Sequence, residues 1–181
     1  MKEELKYIFS NINDWLKYSE AKHGVIATIN IAIIFGIFQL LDKFTAHEIS
    51  YKKMFIVAIC LLLLSILVTF YSFVPITKHK LDCISDEEFS EKKIGMNIMF
   101  FGHIHCLREE QLLDLLRSNA GFDEGIKHTI YELNLANQII NNARITSHKF
   151  QLFKTAGVLS LSGTLLFVLL AILKYIVELP L

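Results

Sequence analysis

Residues that break helices are scarce in this chain. Its 181 residues include two prolines and eight glycines, too few to punctuate a series of short strands and turns, so no sheet is expected and the pattern predicts an all-α fold. Net charge is missing too. Eighteen Lys and Arg balance eighteen Asp and Glu, which removes the basic excess that broad phosphate binding requires, and no nucleic-acid partner is expected. Cysteine is limited to Cys60, Cys83 and Cys106, whose spacing is neither that of a zinc knuckle nor that of a redox pair, so they read as reduced thiols. His103, His105 and Cys106 stand close together, with His79 and Cys83 upstream, without the pairing that four converging zinc ligands show. No metal or cofactor is expected. The nucleophile-elbow, phosphate-loop, zinc-helix and dinucleotide fingerprints are absent as well, and the chain is not expected to be an enzyme.

Apolar sequence is what the chain has in quantity. Hydrophobic residues make up 53% of it and the mean hydropathy is +0.44, values that suit a mixed membrane and soluble protein. Three stretches, 24–41, 54–75 and 156–177, are each long enough to cross a bilayer, which takes roughly 20 helical residues at about 1.5 Å each. Lys174 is their one charged residue, and its stem can snorkel. The first stretch follows more than twenty polar-rich residues and precedes no small-residue cleavage site, so it reads as retained rather than as a secretory signal.

Lysine and arginine set the expected orientation. Lys2, Lys6, Lys17 and Lys22 precede the first stretch, and Lys78, Lys80, Lys92, Lys93, Arg144, Lys149 and Lys154 flank the central segment, against Lys43, Lys52, Lys53 and Lys174 on the other side. By the positive-inside tendency the amino terminus and the central segment face the cytoplasm. The expected organisation is an amphipathic cytoplasmic helix over 1–23, a span over 24–41, an external loop over 42–53, a span over 54–75, a cytosolic helical sensor over 76–155 and a span over 156–177.

Within the polar parts, Leu5, Ile8, Phe9, Ile12, Trp15 and Leu16 recur at helical spacing, so this helix lies either on the membrane surface or on the soluble segment. Ser85 followed by Asp-Glu-Glu offers a helix start, and Leu112, Leu113 and Leu116 share a face of a helix that Asn119-Ala-Gly121 should end. From Ile126 to Phe153 there is neither Pro nor Gly, and Ile126, Ile130, Leu133, Ala136, Ile140 and Ala143 form a stripe. A helix from Asp123 to Val177 would be about 80 Å long and would couple the soluble segment to the bilayer, with Gly157 permitting a bend.

Three polar groupings are candidate sites. Asn134, Asn137, Gln138, Asn141 and Asn142 fall within nine residues; amides supply donors and acceptors without charge, which suits a base edge or a sugar, and Arg144 and Lys149 could partner a phosphate. The same amides could equally bond between helices or subunits. Glu20 and Lys22 stand just before the first span, for a salt bridge, a lipid headgroup or gating. Asn30 lies inside the first span, where it should bond another span or line a polar path.

Asn11-Ile-Asn-Asp-Trp15-Leu-Lys-Tyr-Ser-Glu20-Ala-Lys22, running into a span, resembles the opening of the Pycsar transmembrane effector (PycTM) family. Phe100-Phe-Gly-His-Ile104 before a leucine-rich helix, and Glu132-Leu-Asn134, Gln138-Ile, Asn142, Ile145 and Lys149-Phe entering the last span, are similar in the same order. The resemblance implies an antiphage effector activated by a cyclic pyrimidine mononucleotide, cCMP or cUMP, from a neighbouring pyrimidine nucleotide cyclase. It would impair the bacterial inner membrane, contact membrane lipid and cause abortive infection, as a homo-oligomer because three helices enclose little space. The β-roll cassette that usually grips a cyclic nucleotide is missing, so the pocket must be helical. The ligand-binding or coupling candidates are Glu20, Lys22, Asn134, Gln138, Asn141, Asn142, Arg144 and Lys149. The alternatives are a non-enzymatic membrane scaffold and a small transporter without nucleotide response.

Overall fold

The structure is a computed structural model that describes residues 1–41, 49–75, 83–121 and 127–177, with side chains over the same residues except 49–51, 120 and 177. Most of the expected 42–53 loop, together with Lys43, Lys78, His79, Lys80, Asp123 and Ile126, lies outside the described residues. The fold is all-α, with no strand among those residues: α1 Lys2–Leu41, α2 Ile49–Tyr71, α3 Asp86–Lys92, a 3₁₀ turn at Lys93–Gly95, α4 Phe101–Ile104, α5 Glu109–Ala120 and α6 Ile130–Val177. Three of them, α1, α2 and α6, are long and apolar enough to cross a membrane. The chain divides into two compact units, Met1–Ser19 with Pro75–Phe150 and Glu20–Val74 with Gln151–Leu181. Helices α1 and α6 contribute to both.

The first, polar unit has one core. Leu5, Ile8 and Ile12 of α1 are fully buried in a cluster with Leu112, Leu113, Leu115 and Leu116 of α5, Ala136, Ile139, Ile140 and Ala143 of α6, and Phe89, Phe101 and Ile104. The amphipathic start of α1 is therefore packed inside this unit rather than laid on a surface. Trp15 joins the same packing, its ring 5.6 Å from Phe101 and 6.2 Å from Phe150, which stack on each other at 4.9 Å. Of the predicted α6 stripe, Leu133 to Ala143 packs inward, but Ile130 is 79% exposed.

Helix ends follow their local chemistry. Ser85 Oγ accepts the Glu88 amide at 3.2 Å to start α3. Gly121 ends α5 in the left-handed region at φ +67°, a conformation that costs a residue with a Cβ more than it costs glycine. At the start of α6 the Thr129 amide donates to Glu132 Oε2 at 2.9 Å, and the Glu132 amide donates to Thr129 Oγ1 at 3.3 Å. This is a reciprocal capping box.

In the second, span unit the contacts set a register. His23 meets Phe73 and Phe153, Asn30 meets Ser65 and Ser160, Ser65 meets Ala156, and Phe55 meets Phe167. Helices α1 and α6 thus run parallel and α2 runs antiparallel to both. Leu62 and Gly163 fall between the last two of these levels, so close that a Cβ on Gly163 would lie 3.0 Å from Leu62 Cγ. Outward, Phe35, Leu67, Leu161 and Leu165 are exposed. Such faces suit hydrocarbon, while the helices satisfy their own backbone.

Burial raises the Glu132 carboxyl pKa, but bonds from the Thr129 amide and hydroxyl and the charge of Arg117 outweigh it and hold the value below normal. A depressed folded-state pKa stabilises the fold above the unfolded-state value and loses that stabilisation as pH falls through the folded value. Thermal melts of the purified protein should therefore show stability declining below about pH 4, less steeply in Glu132→Gln, and Thr129→Ala should cost about 0.5–2 kcal/mol at neutral pH.

Candidate functional site

The eight sequence-derived candidates are shared between the two compact units. Glu20 and Lys22 belong to the span unit, where the Lys22 ammonium lies 5.1 Å from the centre of the Phe153 ring. The other six belong to the polar unit and divide by exposure along α6. Asn134, Gln138 and Asn141 are exposed at i, i+4 and i+7, one helical face, and with Asn137 they form a polar surface. Asn141 donates to Asn137 Oδ1 at 2.6 Å, and Asn137 donates to Glu109 on α5. Asn142, half-buried at the edge of this face, donates to Asn13 of α1 at 2.7 Å. Arg144 donates from Nε to the His105 carbonyl at 2.9 Å and from Nη2 to the Leu107 carbonyl at 3.2 Å. It thereby satisfies main-chain acceptors just after α4, a tethering task for a fork of fixed donors. Lys149 is buried among its neighbours.

Three surface cavities of the polar unit are lined by other residues. One of about 400 Å³ has Glu3, Glu4 and Tyr7 on its wall beside Ile98 and Met99, acidic and apolar groups that disfavour a phosphate. One of about 420 Å³ is bordered by Asn11, Asp14, Trp15 and Tyr18, successive positions of one α1 face. The third, about 240 Å³, lies between the end of α3 and the middle of α5 and is lined by Phe89, Ser90, Lys93, Asp114 and Arg117. It brings Lys93 and Arg117 beside the Asp114 carboxylate, which accepts from His128 at 3.1 Å; the Ser90 hydroxyl donates to the Asp86 carbonyl of its own helix at 2.9 Å, and Arg117 Nε donates to Met1 Sδ at 3.4 Å. The two cations suit a phosphate oxygen. Lys93 and Arg117 stand far apart in sequence and fit no motif, so charge alone could not single them out among eighteen basic residues.

Two members of the His103, His105 and Cys106 grouping are engaged locally, while His105 Nδ1 is buried with no hydrogen-bond partner among the described residues. His103 Nδ1 accepts the Asn97 amide at 2.9 Å, and Cys106 donates to the His103 carbonyl at 3.2 Å. Burial pushes the Cys106 thiol pKa up, away from the thiolate that a metal would need. Among the described residues no three His, Cys, Asp or Glu side chains converge on a possible metal position.

In the span unit, Asn30 has the inter-helix partners expected of a buried amide. Its Nδ2 donates to Ser65 Oγ at 2.8 Å, its Oδ1 accepts from Ser160 Oγ at 2.6 Å, and Ser65 Oγ passes its own proton to the Ala156 carbonyl at 2.7 Å. One residue of α1, one of α2 and two of α6 thus share a closed network.

No curated protein and no solved structure matches this chain. The family model for the Pycsar effector protein domain matches residues 4–175, nearly the full length and all three helices capable of spanning a membrane. The chain belongs to the Pycsar effector family, and is a membrane effector of antiphage defence.

Proposed function

We propose that this effector is switched on by a cyclic pyrimidine mononucleotide, cCMP or cUMP, supplied by a companion cyclase, and that it then impairs the inner membrane so that the infected cell dies. The family match over residues 4–175, joined to the three apolar helices, is the observation that carries this reading. The protein acts by changing conformation, without catalysis. Its amino terminus and polar unit face the cytoplasm, in keeping with the basic residues that flank the spans.

For the ligand, we infer that the cavity between α3 and α5 takes the phosphate, with Lys93 and Arg117 as its cations. The exposed amides Asn134, Gln138 and Asn141 offer a second, weaker surface, able to pair with a base edge but carrying no charge. Ligand that binds one arrangement of the polar unit better than another shifts the population of the whole protein. A tenfold preference supplies about 1.4 kcal/mol per site, and copies acting together add their shares. Because α6 is unbroken through the end of one unit and the start of the next, it is the proposed carrier of that preference.

Cells expressing the protein, given each cyclic mononucleotide separately, should lose membrane integrity with cCMP or cUMP and not with cAMP or cGMP. In binding assays Lys93→Ala should weaken affinity more than tenfold, since a charged hydrogen bond is worth about 1.5–3 kcal/mol, whereas Gln138→Ala should change it by about tenfold at most. The opposite ranking would move the phosphate site to α6 and its cations Arg144 and Lys149. If no cyclic mononucleotide binds, the proposed trigger is wrong.

A proline in the interior of α6 removes one hydrogen bond and clashes with the preceding turn, at about 3 kcal/mol or more. Gln151→Pro should retain nucleotide affinity and lose membrane damage, measured at matched abundance and insertion. Retained damage with unchanged nucleotide dependence would show that α6 is not the carrier.

A further inference from the structure

The core of the span unit changes character at one level. On the side of His23, Asn30, Phe73 and Phe153 its buried residues are His23, Asn30, Ser65, Thr69 and Ser72 beside the apolar Ile66 and Ala156, with Ser160 bonded to Asn30. On the other side of the Leu62 and Gly163 level the buried side chains are Ile34, Ile37, Phe55, Ala58, Ile59 and Leu170, all apolar. The register places Ser65 beside Ala156 and Phe55 beside Phe167, so the two halves follow each other along the helix axes.

Fastening accounts for only part of the polar half. Polar side chains commonly bind membrane helices to one another, and the Asn30, Ser65 and Ser160 network does so. Thr69 does not, because its hydroxyl donates to the Ser65 carbonyl of its own helix at 3.0 Å. Ser72 is 2% exposed, and its Oγ has no hydrogen-bond partner among the described residues. Ser65 and Thr69, at i and i+4, share one face of α2, and Ser72, in the turn just past its end, continues this run of hydroxyls. A buried hydroxyl without a partner is costly in hydrocarbon, and a run that ends on one is suited to water. Apolar constrictions, in turn, close paths by excluding water.

We propose that the span unit is a gated conduit for small monovalent ions, whose vestibule is the hydroxyl run and whose gate is the apolar half beginning at Leu62. This rests on the reading of the protein as a membrane-impairing effector and specifies the lesion: ions pass along the protein's own helix seam, and the bilayer is not torn. Among the described residues no Asp, Glu, Lys or Arg side chain is buried in either half, so the conduit discriminates weakly between ions of opposite sign. A seam between the packed helices of one copy is narrower than a pore lined by several copies, so large solutes are held back. Opening consists of wetting the apolar half.

The test uses the full-length protein in vesicles of phosphatidylethanolamine and phosphatidylglycerol, loaded with a potassium-sensitive dye and, in a parallel set, with carboxyfluorescein. Wild type with cCMP or cUMP should pass potassium and retain carboxyfluorescein; release of both together would overturn the conduit. Leu62→Ser should leak potassium without any nucleotide, by about tenfold or more over wild type, because it lowers the apolar barrier. An inserted Leu62→Ser protein as tight as wild type would also overturn it. Thr69→Val keeps the side-chain shape and should reduce the nucleotide-evoked flux several-fold, and unchanged flux would count against the vestibule. If wild type stays silent with both nucleotides while Leu62→Ser leaks, the conduit stands and the nucleotide trigger fails.

Discussion

The shared hydrogen bonds of Asn30, Ser65, Ser160 and the Ala156 carbonyl are the constraint on which the membrane part of this protein depends. Apolar contacts between helices in lipid carry little information about register, because one leucine-rich face slides over another at small cost and lipid tails are as apolar as the helices. A buried amide is different. It has donors and acceptors in fixed directions, and sliding a neighbour by one turn leaves them unsatisfied. Each such bond contributes only about 0.6–2 kcal/mol, yet three of them meet at one point and tie all three helices. The aromatic contacts of His23 and the close approach of Gly163 to Leu62 then fall at the levels that this junction dictates.

The polar unit depends on a different device. Its apolar core is ordinary, but its edges are joined by specific side-chain bonds: Arg144 to the main-chain carbonyls after α4, Asn11 to the Met99 carbonyl at 2.6 Å, and the Asn142 amide to the Asn13 side chain between α6 and α1. Asp86 extends the pattern, accepting from Arg108 and from Gln111 at 3.0 Å, and these partners hold its carboxyl below the usual range. Segments with little regular structure, such as 96–100, are thus held by specific bonds. A unit built this way can rearrange by exchanging a few polar partners while its apolar core stays intact, which is what a ligand-responsive element requires.

Much of this was legible in the sequence because the underlying chemistry is local or one-dimensional. Long apolar runs announce spanning helices whatever their neighbours, and Gly121 and Ser85 announce helix ends by backbone conformation and side-chain reach. The need of Asn30 for partners was also legible, since an amide in a span has no water to turn to; which hydroxyls would answer it was not. The amphipathic start of α1 could suit a bilayer surface or a protein core equally, because both present an apolar plane, and only the assembled unit distinguishes them. The α6 amides were legible as a group, but nothing in their spacing revealed that Asn142 and Arg144 would be engaged within the fold. The Lys93 and Arg117 cavity had no sequence signal, because it exists only where α3 and α5 come together.

The central claim is that a nucleotide on the polar unit wets the core of the spans. Its most direct test is chemical accessibility at the level where the core turns apolar. In a background lacking Cys60, Cys83 and Cys106, a cysteine introduced by Leu62→Cys would be exposed to a charged, membrane-impermeant thiol reagent with and without cCMP or cUMP, with the protein reconstituted and both faces reachable. Modification should be slow without nucleotide and several-fold faster with it. Modification that stays slow while the same nucleotide makes the membrane leak would contradict it.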